Sequence, residues 1–119
     1  VVIKLGTNDS KPQNWKHKDQ FADDAKALIL HFRGLPSKPI VHVCLPVPVY
    51  EARWGINEPV VQSEVIPTLK QVAKALNAPI IDLHSALSDK PALFPDKIHP
   101  NAAGARLIAE TVGAALRKP

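Results

Sequence analysis

The 119-residue sequence has a single cysteine, no methionine, few aromatic residues (5%) and no apolar run long enough to cross a bilayer. A spanning helix needs about 18 consecutive apolar residues or more, so membrane insertion is not expected. Cys44 has no second cysteine with which to form an internal disulfide. Its place in the apolar run Val41–Leu45 marks it as a buried structural thiol. No cluster of Lys and Arg interleaved with aromatics occurs, which argues against nucleic-acid binding despite a net charge of +4. There is no Gly-rich dinucleotide fingerprint and no Walker-type phosphate loop. His84, Asp96 and His99 follow no recognised zinc spacing, so chemistry without a cofactor is expected. No basic-apolar-small leader is visible. The chain opens on Val1-Val2-Ile3 without an initiator Met, so a processed or fragmentary product is expected and the compartment stays open.

What is present fits one domain with a moderate core: 45% apolar and 22% charged residues, with 12 prolines concentrated in connections. Val1–Leu5 reads as a short buried strand ended by Gly6. Phe21, Ala25, Leu28 and Phe32 then recur at helical spacing until Gly34 and Pro36 stop the pattern. Pro39–Leu45 reads as a second strand closed by Pro46 and Pro48. A long connection, 46–60, precedes a second helical stripe at Val65, Leu69, Val72 and Leu76, with Pro67 in its first turn. Ile80–Leu83 reads as a third strand and 84–100 as a loop. A last helix is capped by Asn101 and buries Ala105, Ile108, Val112 and Leu116. The order β-α-β-α-β-α predicts a parallel sheet covered on both sides by helices. Three strands leave open edges, so a further strand is expected from elsewhere in the polypeptide or from a partner chain.

In open sheets of this kind ligands sit beyond the carboxyl ends of the strands, where the loops at 6–9, 46–60 and 84–100 all fall. Asp96 and His99 suit an acid–base pair, the carboxylate fixing the tautomer of the imidazole. The same two residues also suit a solvated loop–helix junction. Asn8 suits an amide donor to a developing oxyanion, with Gly6 allowing close approach of the backbone. A plain turn is the alternative there, with Asp9 binding loop N–H groups. Tyr50 and Trp54 suit either a sugar face or an anchor for their own loop. His84 is a further candidate to line the pocket, whereas His17, His31 and His42 lack partners, and Arg53 suits either an acidic sugar or, more simply, solvated surface.

Two stretches resemble known sequence blocks. Val1-Val2-Ile3-Lys4-Leu5-Gly6-Thr7-Asn8-Asp9 resembles the third block of the SGNH, or GDSL-type, hydrolases. Phe94-Pro95-Asp96-Lys97-Ile98-His99-Pro100-Asn101-Ala102-Ala103-Gly104 resembles their fifth. The resemblance implies a flavodoxin-like three-layer α/β/α sandwich, of which residues 1–119 are the later, C-terminal portion of a single domain. It assigns Gly6 and Asn8 to the oxyanion hole and Asp96 and His99 to a Ser-His-Asp triad. The family's first block, which carries the nucleophilic serine, and the oxyanion glycine of its second have no counterpart here. Ser10, Ser37, Ser63, Ser85 and Ser88 all lack the strand-to-helix setting of that nucleophile, so an N-terminal segment carrying the serine is expected to complete the site.

The middle of the chain narrows the resemblance. Pro46-Val47-Pro48, Trp54-Gly55-Ile56-Asn57, Ile66-Pro67 and Ile81-Asp82-Leu83-His84 are similar to bacterial carbohydrate acetylesterases, closest to sialate O-acetylesterase-like members. The implied activity is hydrolysis of small acyl esters, above all O-acetyl groups on a carbohydrate, in a secreted or periplasmic setting with the cytoplasm left open. The alternatives are a lipase or thioesterase of the same superfamily, or a non-catalytic carbohydrate-binding fragment.

Overall fold

The computed structural model describes residues 1–118. Strand β1 (Val2–Ile3) is followed by a 3-10 turn at Asn8–Ser10 and the short helix α1 (Pro12–Trp15); helix α2 (Lys18–Arg33) follows. Strand β2 (His42–Leu45) leads to α3 (Glu58–Val60), a π-type turn at Val61–Val65 and α4 (Ile66–Ala75). Strand β3 (Ile80–Asp82), α5 (Leu83–Ala86), a 3-10 turn at Pro91–Leu93 and α6 (Ala102–Leu116) complete the chain.

The three strands form one parallel sheet in the order β1-β2-β3. Val2 pairs with His42 and Ile3 with Val43. On the other side of β2, Val43 pairs with Ile80, Cys44 with Ile81 and Leu45 with Asp82. Side chains alternate across a strand, and β2 divides its residues accordingly. Val43 and Leu45 enter a core with Ile29, Val65, Leu69 and Val72 beneath α2 and α4. Cys44 enters a second core with Ile81, Leu83 and Phe94, against which Leu107, Ile108 and Val112 of α6 pack. The result is the expected α/β/α sandwich, represented by three strands with helices on both faces.

Several elements differ from their sequence reading. The first strand is only two residues long, because β2 offers ladder partners to Val2 and Ile3 alone. The second amphipathic helix begins earlier, at Glu58, where Asn57 caps it by accepting from the Val60 N–H at 3.1 Å. Pro67 cannot donate a backbone hydrogen bond, and the run accommodates it by widening into the π-type turn just before it. The supposed loop 84–100 contains α5 and a 3-10 turn. Helix α6 turns a different face inward: Leu116 is 50% exposed and Ala105 is exposed, while Gly104, Leu107 and Ala115 join Ile108 and Val112 on the inner side.

Cys44 is buried as expected, and burial pushes its thiol pKa upward, which leaves it inert. Among the described residues no helix is long and apolar enough to cross a membrane.

Candidate functional site

The loop after β1 is built to hold a tight bend. Gly6 is buried with φ +118, a conformation that only glycine adopts readily, and a Cβ there would lie 2.8 Å from Val65 Cγ1 and 3.2 Å from Pro46 Cγ. The loop is fastened from three sides. The buried Ser10 hydroxyl donates to the Thr7 carbonyl at 2.8 Å, and Asn14 Nδ2 donates to the Asn8 carbonyl at 2.8 Å. Asn57 Nδ2 donates to the Ser10 carbonyl at 3.1 Å. Asp9, expected to bind loop N–H groups, makes no such bond among the described residues; Ser10, Asn14 and Asn57 fix the turn instead. Asn8 is exposed, and its side-chain amide forms no hydrogen bond among the described residues, so its donors are free for a ligand.

The second half of the site is the turn 96–99. Asp96 Oδ1 accepts from the N–H groups of Ile98 and His99 at 2.9 and 2.6 Å, and Oδ2 lies 2.7 Å from His99 Nδ1. The backbone N–H of His99, then its ring, then the N–H of Ile98 hold the Asp96 carboxyl far below the usual carboxylate range. An ionised Asp96 accepts only, so Nδ1 carries the proton and Nε2 presents its lone pair outward. Behind this turn Asn101 caps α6, accepting from the Gly104 N–H at 2.9 Å. Gly104 packs so closely that a Cβ would sit 2.8 Å from Pro100 Cβ. His99 therefore stands on a braced junction.

These halves meet. Gly6, Thr7, Asn8 and Asp9 line one side of a cleft of about 190 Å³, and Ile98, His99 and Pro100 line the other. The four residues singled out in the sequence, Gly6, Asn8, Asp96 and His99, thus belong to one place: three line the cleft, and the fourth, Asp96, holds the imidazole of His99. An imidazole nitrogen, a free amide and the backbone at Gly6 around one small cleft can move a proton and receive negative charge on oxygen. No serine lines it. Ser10 is buried in its turn, Ser63 donates to Pro59, Ser85 to Asp82 and Ser88 to His84.

Other candidates resolve differently. His84 does not line this cleft. Its Nε2 pairs with Glu58 Oε1, while Glu58 Oε2 accepts from the Val49 N–H at 2.6 Å, so the pair ties the 46–57 loop to α5. Tyr50 is an anchor: its hydroxyl donates to the Leu87 carbonyl and accepts from the Lys90 N–H, its ring packs on Phe94, and its own N–H donates to Lys97 at 3.0 Å. Glu58 was not singled out in the sequence; its position directly after a capping Asn was the available signal. No three His, Cys, Asp or Glu residues gather as a metal group among the described residues, so His84 stands apart from Asp96 and His99.

The depressed Asp96 pKa has a measurable consequence. A group whose folded pKa lies below its unfolded value stabilises the fold above the unfolded value, about 3.9 for Asp, and loses that contribution as pH falls through the folded one. Because the shift is downward, the 96–99 turn keeps its ionised carboxylate throughout the mildly acidic range. A pH titration of the Asp96 carboxyl carbon by NMR is expected to show no midpoint near the ordinary Asp value. A midpoint there would contradict the hydrogen bonding described.

The family follows from this chain as a whole. The chain belongs to the GDSL-like lipase/acylhydrolase family, whose model matches residues 1–107. It is 38% identical over 135 aligned residues to an acetylxylan esterase of Xylanibacter ruminicola, an alignment covering 98% of this chain and 28% of that protein. Among solved structures it is similar to the acetylxylan esterase Axe2 of Geobacillus stearothermophilus, with a TM-score of 0.76 at 19% identity, covering 100% of this chain and 59% of Axe2. It is likewise similar to a GDSL-like lipase of Bacteroides thetaiotaomicron, with a TM-score of 0.80 at 20% identity, covering 98% and 60%. The chain therefore spans about a quarter of the curated relative's length and about three fifths of these structures.

Proposed function

We propose that this chain supplies the acid–base and oxyanion parts of a serine esterase that removes acetyl groups from carbohydrates. The observation that carries the reading is the convergence of the Asp96–His99 pair and the Gly6–Asn8 loop on one cleft. The likeness to an acetylxylan esterase supports acetylated carbohydrate as the substrate class.

The serine comes from a segment outside these 119 residues. The free edge of β1 offers that segment a place: an apolar trough of about 350 Å³ lies beside it, lined by Ile3, Leu5, Phe21, Leu28 and Ile29 among others. A strand laid there would pair with β1 and end on the same rim as the loop at Gly6.

In the reaction, Nε2 of His99 takes the serine proton as the serine oxygen bonds to the ester carbonyl carbon. Asp96 stabilises the imidazolium that forms. The amide of Asn8 and the backbone at Gly6 hold the negative oxygen of the tetrahedral intermediate. His99 then returns the proton to the departing sugar oxygen as the ester C–O bond breaks. Water, deprotonated by the same nitrogen, releases acetate and regenerates the serine.

Acetate release from acetylated xylo-oligosaccharides by the complete protein tests the reading. Substituting Asn8→Ala is expected to lower kcat by about 10²- to 10³-fold, the cost of one lost oxyanion donor. Undiminished turnover in that variant, or a wild-type preference for long-chain acyl esters over acetyl esters, would overturn the assignment.

A further inference from the structure

Trp54 is the residue whose setting the chemistry above leaves unexplained. It sits at the tip of a two-residue turn in which Arg53 and Ile56 exchange both backbone hydrogen bonds, at 3.2 and 2.8 Å. Trp54 has φ 52 and Gly55 φ 83, so both central residues occupy the left-handed region. Asn or Asp followed by Gly is the favoured pair for such a turn, and a bulky aromatic there is strained. Strain of this kind persists where the surroundings enforce it, and here they do. Asn57 Nδ2 donates to the Gly55 carbonyl at 3.1 Å, and Gly55 packs so close to Pro12 that a Cβ would lie 3.3 Å from Pro12 Cδ.

The turn leaves most of its indole in solvent. Trp54 is 60% exposed, although its neighbour Ile56 is buried in the core. The ring instead stands beside the imidazole of His99, with centroids 5.9 Å apart and planes at 45°. A large apolar face is thus held at a fixed backbone turn, open to solvent, beside the imidazole that hands a proton to the leaving alcohol. Tyr50, the other aromatic of this connection, is spent on anchoring the loop, so Trp54 is not needed for that role.

We infer that Trp54 is the platform on which the apolar face of the leaving sugar ring stacks, setting the preference for carbohydrate over simple alkyl esters. The inference rests on the esterase reading above and adds to it the residue that recognises the alcohol part of the ester. An indole is rigid and loses little conformational freedom on binding, which suits it to a flat ring ligand.

The experiment compares two acetyl esters in the complete enzyme: an acetylated xylo-oligosaccharide, whose leaving alcohol is a pyranose, and ethyl acetate, whose leaving alcohol has no ring. For Trp54→Ala the ratio of kcat/KM between the two is expected to fall by about tenfold or more, mostly through KM on the sugar ester. Trp54→Phe, which keeps a stacking face, is expected to recover most of the ratio. Parallel losses on both esters would show that Trp54 only buttresses His99, and an unchanged ratio would show no contact with the sugar; either overturns the platform while the esterase reading stands. A wild-type enzyme that leaves the acetylated sugar intact overturns both.

Discussion

Replacing His99 with alanine is expected to lower kcat for acetate release by about 10⁴-fold or more in the complete enzyme, with its folding intact. The expectation combines two properties of the position. The imidazole is the only one among the described residues that line the cleft, and Asp96 fixes it with Nε2 outward. Yet its side chain is 68% exposed and its hydrogen-bonding partner is a carboxylate that keeps two backbone N–H bonds without it. The turn therefore survives the loss of the ring. Circular dichroism of the variant should match wild type while steady-state turnover collapses. A His99→Ala enzyme within about tenfold of wild-type kcat would remove the acid–base role outright.

Gly6→Ala is expected to be the most damaging single-methyl change, acting on stability and catalysis together. A non-glycine residue at φ +118 costs on the order of 1–3 kcal/mol in backbone strain. The new methyl would also stand 2.8 Å from Val65 Cγ1, in a part of the core where Val65 and Leu69 are both buried. Overpacking of that kind costs a further ~1–3 kcal/mol. Relief comes most cheaply by moving the loop, since β1 has only two paired residues behind it. Moving it takes Asn8 and the Gly6 backbone away from His99. A loss of about 3 kcal/mol in urea unfolding and about 10³-fold in kcat are the expected results. A variant with wild-type unfolding midpoint and turnover would show that Gly6 is an ordinary turn residue.

The architecture was legible because its signals are local and redundant. In β2 the β-branched run is bounded by prolines, and its alternation separates Val43 and Leu45 from Cys44. In α2 the spacing of Phe21, Ala25 and Phe32 marks the face that packs on the core. The meeting of Gly6, Asn8 and His99 at one cleft was legible for a different reason: the two polar islands each follow apolar sequence, and a parallel sheet delivers them to the same rim.

What the sequence concealed depends on contacts between distant segments. The inner face of α6 is obscured because alanine and glycine surround the helix, so several stripes satisfy the period equally well. The Glu58–His84 pair joins residues 26 apart, and neither position carries a local sign of the other. Asp9 had the chemistry of a carboxylate that fixes a loop through its N–H groups, but the turn is tied through its carbonyls instead, which accept from Ser10 and Asn57. The turn at Trp54-Gly55 was hidden because tryptophan is not a residue that such turns select.

The central claim is that this chain holds a proton acceptor and an anion pocket for a serine that lies elsewhere in the polypeptide. Labelling the complete protein with a fluorophosphonate, followed by peptide mapping, tests it most directly. The account predicts a single phosphonylated serine outside residues 1–119, formed rapidly in the wild type and slowed drastically in His99→Ala. A label on Ser10, Ser37, Ser63, Ser85 or Ser88, or a labelling rate indifferent to His99, would contradict it.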